Sequence, residues 1–371
     1  MAPLPENIVE IGTKVKEELN GTDFECRELL PLSGGNANYV FRGRLTTPLE
    51  GGVDEVLVKH GEAYLSRDNS FSLPTSRCVI ESKALSVLGS LSPSDPSNEW
   101  CSVKTPTMYR FDPETNTQVQ EYLADGIDLK NYALKYFEPH TSPTKKAQCL
   151  GLGRGLGQWL KQFHEWAGQS SELRSNAAEN KLLQRLKHST YYDYLIQMID
   201  KFPKVLSQAQ GVFEAVKTMS EKELEDDSVL QAVHGDFWTG NVLLPDKVID
   251  APVKTPVFVV DWEVTSLGVR VRDVGQMIAE LYMLQLFKKI DAGEWLIEGY
   301  LGGYGKFSTD EAFRIAIHVG CHLIVIGGTV PDWGSDEDVE RVVAFGRDMI
   351  VNGWERNKAW FDDGVLGLMF L

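Results

Sequence analysis

The sequence is poor in cysteine and has no paired cysteine motif. Its five cysteines are scattered along 371 residues, and none forms a CxxC pair. An odd number of cysteines at irregular spacing is typical neither of a disulfide framework nor of a zinc site. We therefore expect a protein of a reducing compartment, and we assign it to the cytoplasm.

The sequence also lacks an apolar run that predicts a membrane-spanning helix. Its longest apolar stretch, residues 316–330, is shorter than the roughly 20 residues that a bilayer requires, and it contains His318 and His322. These histidines lie one helical turn apart, which is compatible with a metal pair. Because no HExxH-type acid accompanies them, we expect a packing role in a buried helix. The N-terminal residues lack the basic start and apolar core of a signal peptide.

The sequence also lacks an excess of positive charge. The chain has 37 lysines and arginines against 53 aspartates and glutamates, which gives a formal net charge of −16. Proteins that bind nucleic acids or anionic membranes normally carry a basic patch, so we expect neither partner. A cationic substrate is compatible with this acidic balance.

The hydrophobic pattern divides the chain into residues 1–122 and residues 123–371. The first range contains short apolar or alternating runs separated by Gly, Asn and Pro, which predict strands, whereas the second has apolar residues at helical spacing. A hydrophobic content of 43% and a charged content of 24% are typical of globular proteins. We predict an α+β fold with two lobes, a small sheet-rich N-terminal lobe and a larger helical C-terminal lobe.

Two motifs in the second lobe place polar side chains at the ends of apolar segments. HGDFWTGNVLL occupies residues 234–244, and VFVVDWE follows at residues 257–263. The apolar segments predict two strands of a hairpin, which brings Asn241 beside Asp261. An amide oxygen and a carboxylate are hard ligands suited to Mg²⁺ on nucleotide phosphates. For either motif alone, the alternative is an ordinary turn or a solvated charge at a strand end.

The loop before Asn241 supplies the candidate catalytic residue. Asp236 can accept a proton from a substrate hydroxyl or orient that hydroxyl, and we expect His234 to brace the loop. Glu263 would share a strand face with Asp261 if the strand continued. This predicts a further metal or supporting carboxylate, although a solvated glutamate is an alternative.

The pattern HGDxxxxN resembles that of the aminoglycoside phosphotransferase and choline kinase-like superfamily. The resemblance covers most of residues 28–350 and implies a protein-kinase-like, ATP-dependent enzyme that uses Mg²⁺. SGG at 33–35, DWE at 261–263 and the late segment 332–346 are similar to fungal small-molecule kinases of the methylthioribose kinase-like branch, which includes the hydroxytryptamine kinase of psilocybin biosynthesis. The present loop keeps His-Gly, which that kinase lacks, so its substrate is not carried over.

The resemblance assigns nucleotide contacts to the first lobe. Paired glycines between two strands let backbone amides approach a phosphate, although such a segment is also an ordinary hairpin turn. Lys59 ends a strand where kinases place the lysine that contacts the α- and β-phosphates, and Glu81 on the next helix is its expected partner. The backbone of Glu121 through Leu123 is the expected adenine contact. The predicted nucleotide-binding residues are Ser33, Gly34, Gly35, Asn36, Lys59, Glu81, Glu121 and Leu123.

The segment after Asp261 is too short for a protein-substrate platform. Twelve positions separate Asp261 from Asp273, which we expect to begin a helix, cap its amides and brace the catalytic loop. Protein kinases use about twenty or more residues there. We therefore predict a small-molecule alcohol as acceptor, such as an amino alcohol or a sugar, and we name Glu280, Tyr282 and Trp333 as candidate contacts. The alternatives are a choline or ethanolamine kinase-like activity and a catalytically inactive kinase-like binding protein.

Overall fold

The computed structural model describes residues 4–35, 37–93 and 97–371. The chain divides into two compact units, one formed by Met1–Ser90 with Thr105–Ala124 and the other by Leu91–Lys104 with Asp125–Leu371. The strands are β1 (Cys26–Pro31), β2 (Tyr39–Leu45), β3 (Glu55–His60), β4 (Tyr64–Leu65), β5 (Asp68–Ser72), β6 (Cys101–Lys104), β7 (Met108–Asp112), β8 (Thr117–Glu121), β9 (Gly126–Asp128), β10 (Gln231–Val233), β11 (Val242–Pro245), β12 (Thr255–Val259) and β13 (Ser266–Gly268).

The helices begin and end at the following residues. They are α1 (Ile8–Leu19), α2 (Ser76–Leu88), α3 (Leu129–Tyr136), α4 (Lys146–Ala167), α5 (Ser171–Glu179), α6 (Lys181–His188), α7 (Tyr194–Lys201), α8 (Pro203–Leu206), α9 (Gln210–Glu225), α10 (Val271–Lys288), α11 (Ala292–Tyr304), α12 (Thr309–Val325) and α13 (Asp336–Trp354). Short 3-10 and π-helical turns connect several of them. Across the described residues, no helix combines the length and apolar character needed to cross a membrane.

The first unit is built on an antiparallel sheet with the strand order β1-β2-β3-β8-β7. Alternate residues of β2 are buried, including Tyr39, Phe41 and Leu45, because successive side chains of a strand point to opposite faces. These residues pack with Ile11 and Val15 of α1 in one apolar core. The sheet-rich character predicted for this part of the chain is therefore confirmed.

The boundary between the units differs from the predicted division at residues 122 and 123. The first unit extends to Ala124, and residues 91–104 belong to the second unit. The reason is a long-range pairing, since β6 runs parallel to β12 with Val103 opposite Val257. The four-stranded sheet of the second unit has the order β6-β12-β11-β9. The local sequence pattern placed β6 in the first lobe, because its partner strand β12 is far away in sequence and the pairing leaves no local signal.

Close helix packing in the second unit depends on glycines of α4. A Cβ atom on Gly153 would lie 2.3 Å from the Leu296 carbonyl oxygen, and one on Gly157 would lie 2.0 Å from the Tyr300 carbonyl oxygen. The spacing of four residues puts both glycines on one helix face, so the backbones of α4 and α11 can touch. This packing fixes α4, which carries His164 to the candidate site.

Candidate active site

The hairpin predicted from the two motifs is present. β11 and β12 pair antiparallel with Val242 opposite Val259, and the Val260 amide donates to the Asn241 carbonyl oxygen at 3.0 Å. Asn241 therefore lies beside the segment that leads into Asp261. The Asp261 backbone adopts a left-handed conformation with φ 68°, which ends the strand and turns the chain.

The strand does not continue to Glu263, so the condition under which Glu263 and Asp261 would share a strand face is not met. Residues Trp262–Val264 form a 3-10 turn, because the left-handed residue before them breaks the extended conformation. The Glu263 side chain is nevertheless buried, and its carboxylate and that of Asp261 offer oxygen atoms within 4.8 Å of one another. Asn180 holds the turn by donating to the Glu263 and Thr265 carbonyl oxygens, each at 2.9 Å.

Asp236 is anchored through one of its two carboxylate oxygens. Its Oδ1 accepts from Lys187 Nζ at 2.5 Å and from Gln276 Nε2 at 2.7 Å. Asn241 Nδ2 donates to the Asp236 carbonyl oxygen at 2.9 Å and lies 3.5 Å from Oδ2. Burial raises the pKa of Asp236, but Lys187, with smaller help from Gln276 and His234, holds it below its usual range. The carboxylate is therefore ionised at neutral pH, and Oδ2 is its less constrained oxygen.

Asp273 braces the catalytic loop, as predicted. Its carboxylate accepts from the His234 amide at 2.9 Å, the Gly235 amide at 3.0 Å and His164 Nε2 at 3.2 Å. Burial raises the pKa of Asp273, yet His164, with smaller help from His234, holds it below its usual range. The predicted helix start at Asp273 is wrong, since α10 begins at Val271, and Asp273 lies in its first turn instead of capping it.

His234 and Gly235 fix the shape of the loop. The His234 ring lies 3.0 Å from the Val260 carbonyl oxygen through Nε2, and Nδ1 accepts from the Asp236 amide at 3.3 Å. Gly235 has φ 80°, and a Cβ there would meet the Val264 carbonyl oxygen at 2.6 Å. These contacts connect the loop to the end of β12 and support the bracing role expected of His234.

Glu280 is part of a buried hydrogen-bond chain and not an exposed substrate contact. It accepts from Thr239 Oγ1 at 3.2 Å and contacts His322 Nε2 at 2.9 Å, while His322 Nδ1 contacts the Tyr191 hydroxyl at 3.2 Å. Burial raises the pKa of Glu280, but His322 and, more weakly, Lys130 hold it below its usual range. The chain fixes Thr239 within the catalytic loop. His322 thus has the internal role expected of it.

In the first unit, Lys59 forms the predicted ion pair with Glu81. Lys59 Nζ lies 2.9 Å from Oε1 and 2.8 Å from Oε2, and both residues are buried. Gln118 Nε2 donates to Glu81 Oε2 at 3.2 Å. The pair holds the ammonium group at a defined position, while its contact with nucleotide phosphates stays a prediction.

The glycine-rich turn has the backbone conformation that only glycine adopts easily. Gly34 has φ 141° and Gly35 has φ 69°, and Ser33 beside them is exposed. Asn36 lies outside the described residues. On the far side of the turn, the buried Arg77 donates to the Ala37 carbonyl oxygen at 3.1 Å and to Asn38 Oδ1 at 3.0 Å.

Glu121 lies at the end of β8, and Leu123 follows it. The Glu121 amide donates to the Thr107 carbonyl oxygen at 2.8 Å, and the Glu121 carboxylate accepts from the Thr107 amide at 3.1 Å. These bonds hold the strand end within the first unit. Recognition of adenine by residues 121–123 stays a prediction.

Comparisons with known proteins identify the family. A model described as "Phosphotransferase enzyme family" matches residues 46–313. The chain belongs to the phosphotransferase enzyme family. It is 29% identical over 373 residues to the phosphotransferase FrzJ of Cladobotryum sp., covering 97% of this chain and 96% of FrzJ. It is 22% identical to the 4-hydroxytryptamine kinase of Psilocybe cyanescens, with 88% of each chain covered.

A solved structure supports the same fold. The choline/ethanolamine kinase family protein of Mesorhizobium loti superposes with a TM-score of 0.50 at 16% identity, covering 96% of this chain and 98% of that one. The predicted α+β, kinase-like fold class is confirmed. The predicted enzyme class, a small-molecule kinase, is confirmed as well.

Several residues that shape this phosphotransferase site were not predicted from the sequence. Lys187 and Gln276 contact Asp236 from positions 49 and 40 residues away. Arg77 fastens the glycine-rich turn from 40 residues away. A lysine near a helix end or an arginine in a helix carries no local pattern that distinguishes it from a solvated residue, so only the tertiary fold reveals these contacts.

Proposed function

We propose that this kinase transfers the γ-phosphate of ATP to the hydroxyl group of a small molecule, with Asp236 as the catalytic base. The observation that supports this most directly is the state of Asp236. It is an ionised carboxylate whose Oδ1 is held by Lys187 and Gln276. A carboxylate with one anchored oxygen can present the other in a fixed direction, which is what a base for a bound hydroxyl requires.

The proposed reaction is an in-line displacement at the γ-phosphorus. The acceptor hydroxyl gives its proton to Asp236 Oδ2, its oxygen forms a bond to the γ-phosphorus, and the bond from that phosphorus to the bridging oxygen of ADP breaks. The products are a phosphate monoester and ADP, and the proton later passes to solvent. Asp273 and His234 keep the loop from moving while this occurs. Positioning and charge neutralisation supply most of the rate in such reactions.

The residues at the end of the hairpin fit a magnesium ion. Asn241 uses its Nδ2 to donate to Asp236, which leaves its side-chain oxygen as the ligand atom. Asp261 and Glu263 offer carboxylate oxygens within 4.8 Å of one another. Hard oxygen donors of this kind suit Mg²⁺. We assign the metal to Asn241 and Asp261 with Glu263 in support, where it would neutralise charge on the nucleotide phosphates.

We assign the nucleotide phosphates to Lys59 and the glycine-rich turn at residues 33–35, with Asn36 as a further predicted contact. Glu81 fixes the position of the Lys59 ammonium, so less side-chain entropy is lost when a phosphate binds. The positive φ angles of Gly34 and Gly35 free the backbone to approach an anion closely. Glu121 and Leu123 are the proposed adenine contacts.

The acceptor class rests on the short segment after Asp261 and on the relatives. Only residues 262–270 separate Asp261 from α10, and they form a 3-10 turn and the short strand β13. This leaves little chain for a peptide platform. One relative is named as a kinase of 4-hydroxytryptamine, and the matched structure as a member of the choline/ethanolamine kinase family. We therefore propose a small alcohol and not a protein side chain.

A screen of acceptors tests this proposal. The purified full chain is incubated with ATP carrying a labelled γ-phosphate, Mg²⁺, and panels of alcohols, sugars and amino alcohols, and the label is followed into phosphate monoesters. We expect acceptor-dependent release of ADP and an acid-stable, phosphatase-sensitive product. Nucleotide binding without turnover of any acceptor would instead support the inactive binding protein, and label on added Ser- or Thr-containing peptides in preference to every small alcohol would overturn the acceptor class.

A further inference from the structure

A lysine lies between two tryptophans beside the catalytic loop. Lys130 Nζ is 4.4 Å from the centre of the Trp333 ring and 5.4 Å from the centre of the Trp238 ring. Lys288 Nζ lies over Trp333 as well, at 5.8 Å. Ring faces within about 6 Å of an ammonium group attract it, and paired aromatic rings are a recurrent way to bind amine ligands. Here the protein's own ammonium group lies over both indole rings.

One tryptophan of this pair belongs to the catalytic loop itself. Trp238 lies two residues after Asp236 and directly before Thr239, which is bonded to Glu280. Gln276 and Glu280 lie one turn apart on α10 and hold Asp236 and Thr239, respectively. The loop segment that carries the base thus also carries one wall of the aromatic pair.

Helix stability does not account for the position of Lys130. It is the second residue of α3, two positions after the N-cap Asp128, whose side chain accepts from the Asn131 amide at 2.8 Å. A cation in the first turn of a helix is disfavoured by the helix dipole, which favours negative charge there. A lysine at this position is favoured by its contacts with Trp238 and Trp333 and by its attraction to Glu280.

The carboxylates around the loop are already bonded to protein groups. Asp236 accepts from Lys187 and Gln276. Asp273 accepts from two backbone amides and His164, and Glu280 contacts Thr239 and His322. Lys130 and Lys187 place two ammonium groups at this loop, one over the Trp238 ring and one bonded to Asp236. The local charge therefore opposes the attraction for cations that the net charge of −16 suggests.

We propose that Lys130 is a specificity-determining residue that excludes cationic amines from the acceptor site, so that the acceptor is a neutral or anionic alcohol. This inference rests on the proposed function and narrows its substrate class. Like charges brought close together reject a wrong ligand even where its shape would fit. An aromatic pair filled by an internal lysine offers a cationic ligand no cation–π contact until the lysine is removed.

A matched pair of acceptors tests this exclusion. Choline and its carbon isostere, in which a tert-butyl group replaces the trimethylammonium group, differ in charge and hardly in shape. We expect the wild-type enzyme to have a lower kcat/KM for choline than for the isostere. In Lys130→Ala and Lys130→Gln the ratio of choline to isostere should rise by about tenfold, because the Trp238 ring loses its lysine and becomes available to a cationic ligand. Lys130→Arg should keep the wild-type ratio, since it keeps the charge.

A binding experiment decides the same point without turnover. Tetramethylammonium is titrated by calorimetry into the wild-type protein, Lys130→Ala, Lys130→Gln and the control Lys358→Ala. Lys358 is exposed, and its Nζ lies 6.0 Å from the centre of the Phe370 ring. Lys358→Ala therefore changes the net charge by the same amount as Lys130→Ala, but beside a different aromatic ring. We expect binding to the two Lys130 variants only.

Three results would overturn the inference. They are a wild-type preference for choline over its isostere, equal binding of tetramethylammonium by the wild type and the Lys130 variants, and no binding by any variant. If no alcohol were phosphorylated by any form of the enzyme, the proposed function would fail, and the titration would still decide the role of Lys130.

Discussion

Removing the Asp273 carboxylate should destabilise the protein and slow the reaction together. Asp273→Ala takes the acceptor from the His234 amide, the Gly235 amide and His164 Nε2, all of which lie in a buried region. A buried donor left without a partner costs about 1–3 kcal/mol. For three donors we expect the free energy of unfolding to fall by roughly 3–5 kcal/mol. This is the lower part of the range obtained by adding the three costs, because water can enter the vacated space and bond to the donors.

The assay is thermal unfolding combined with steady-state kinetics. At about 2 °C per kcal/mol for a unit of this size, the melting temperature should fall by roughly 6–10 °C. The kcat of the folded fraction, measured well below the transition, should fall about 100-fold because Asp236 is no longer held in place, while the KM for ATP changes little. Asp273→Asn should be intermediate in stability, since it keeps one oxygen but turns an NH₂ group towards a donor.

A matched control and the pH dependence sharpen this prediction. Asp227 pairs with Arg174 at the surface, with 83% of its side chain exposed, so Asp227→Ala should cost less than about 1 kcal/mol. The pKa of Asp273 is lower in the folded state than its usual value, so its contribution is present above about pH 4 and is lost as the pH falls through the folded pKa. A melting temperature of Asp273→Ala within about 2 °C of the wild type, with kcat unchanged, would refute the reasoning.

Three other positions in the second unit can be tested by substitution. Asp261→Asn should abolish turnover without unfolding the protein, and it should remove the Mg²⁺-dependent part of ATP binding, as measured by calorimetry. Identical ATP binding with and without Mg²⁺ in the wild type would contradict this prediction. Lys187→Met should lower kcat by about 10–100-fold, because Asp236 loses a charged hydrogen-bond donor. Lys181 is exposed, so Lys181→Met should leave kcat unchanged. Equal rates in the two variants would show that Lys187 does not support Asp236. Glu223 accepts a hydrogen bond from the buried Arg314; burial raises the pKa of Glu223, but Arg314 holds it below its usual range. Urea unfolding of Glu223→Gln should therefore show a lower free energy of unfolding than the wild type at pH 7, and this difference should shrink below about pH 4. A difference independent of pH would exclude this ion pair as its cause.

The catalytic hairpin was predictable because local sequence determines it. The segments NVLL at 241–244 and VFVV at 257–260 predict the two strands, and the polar, proline-bounded segment between them predicts the reversal. The pairing of Lys59 with Glu81 was predictable only through the order of a strand and a helix in the resembled family. In these cases the residues that meet are close in sequence or belong to a motif.

Other features depend on long-range packing and left no local trace. The parallel pairing of β6 with β12 joins segments about 150 residues apart, which moved residues 91–104 to the second unit. The left-handed conformation of Asp261 diverted Glu263 from the strand, although aspartate tolerates both conformations. The Lys187 contact with Asp236 requires α6 to lie against the catalytic loop, and neither segment encodes that by itself.

The most direct test of the account is the behaviour of Asp236→Ala once an acceptor is known. Single-turnover transfer of labelled γ-phosphate from ATP to that alcohol is measured in the presence of Mg²⁺, together with the Kd for the nucleotide. We expect a rate reduced by about 10²–10⁴-fold and a Kd within a few-fold of the wild type, because the carboxylate acts on the acceptor hydroxyl and not on ATP. A transfer rate close to that of the wild type in Asp236→Ala would show that Asp236 is not the catalytic base.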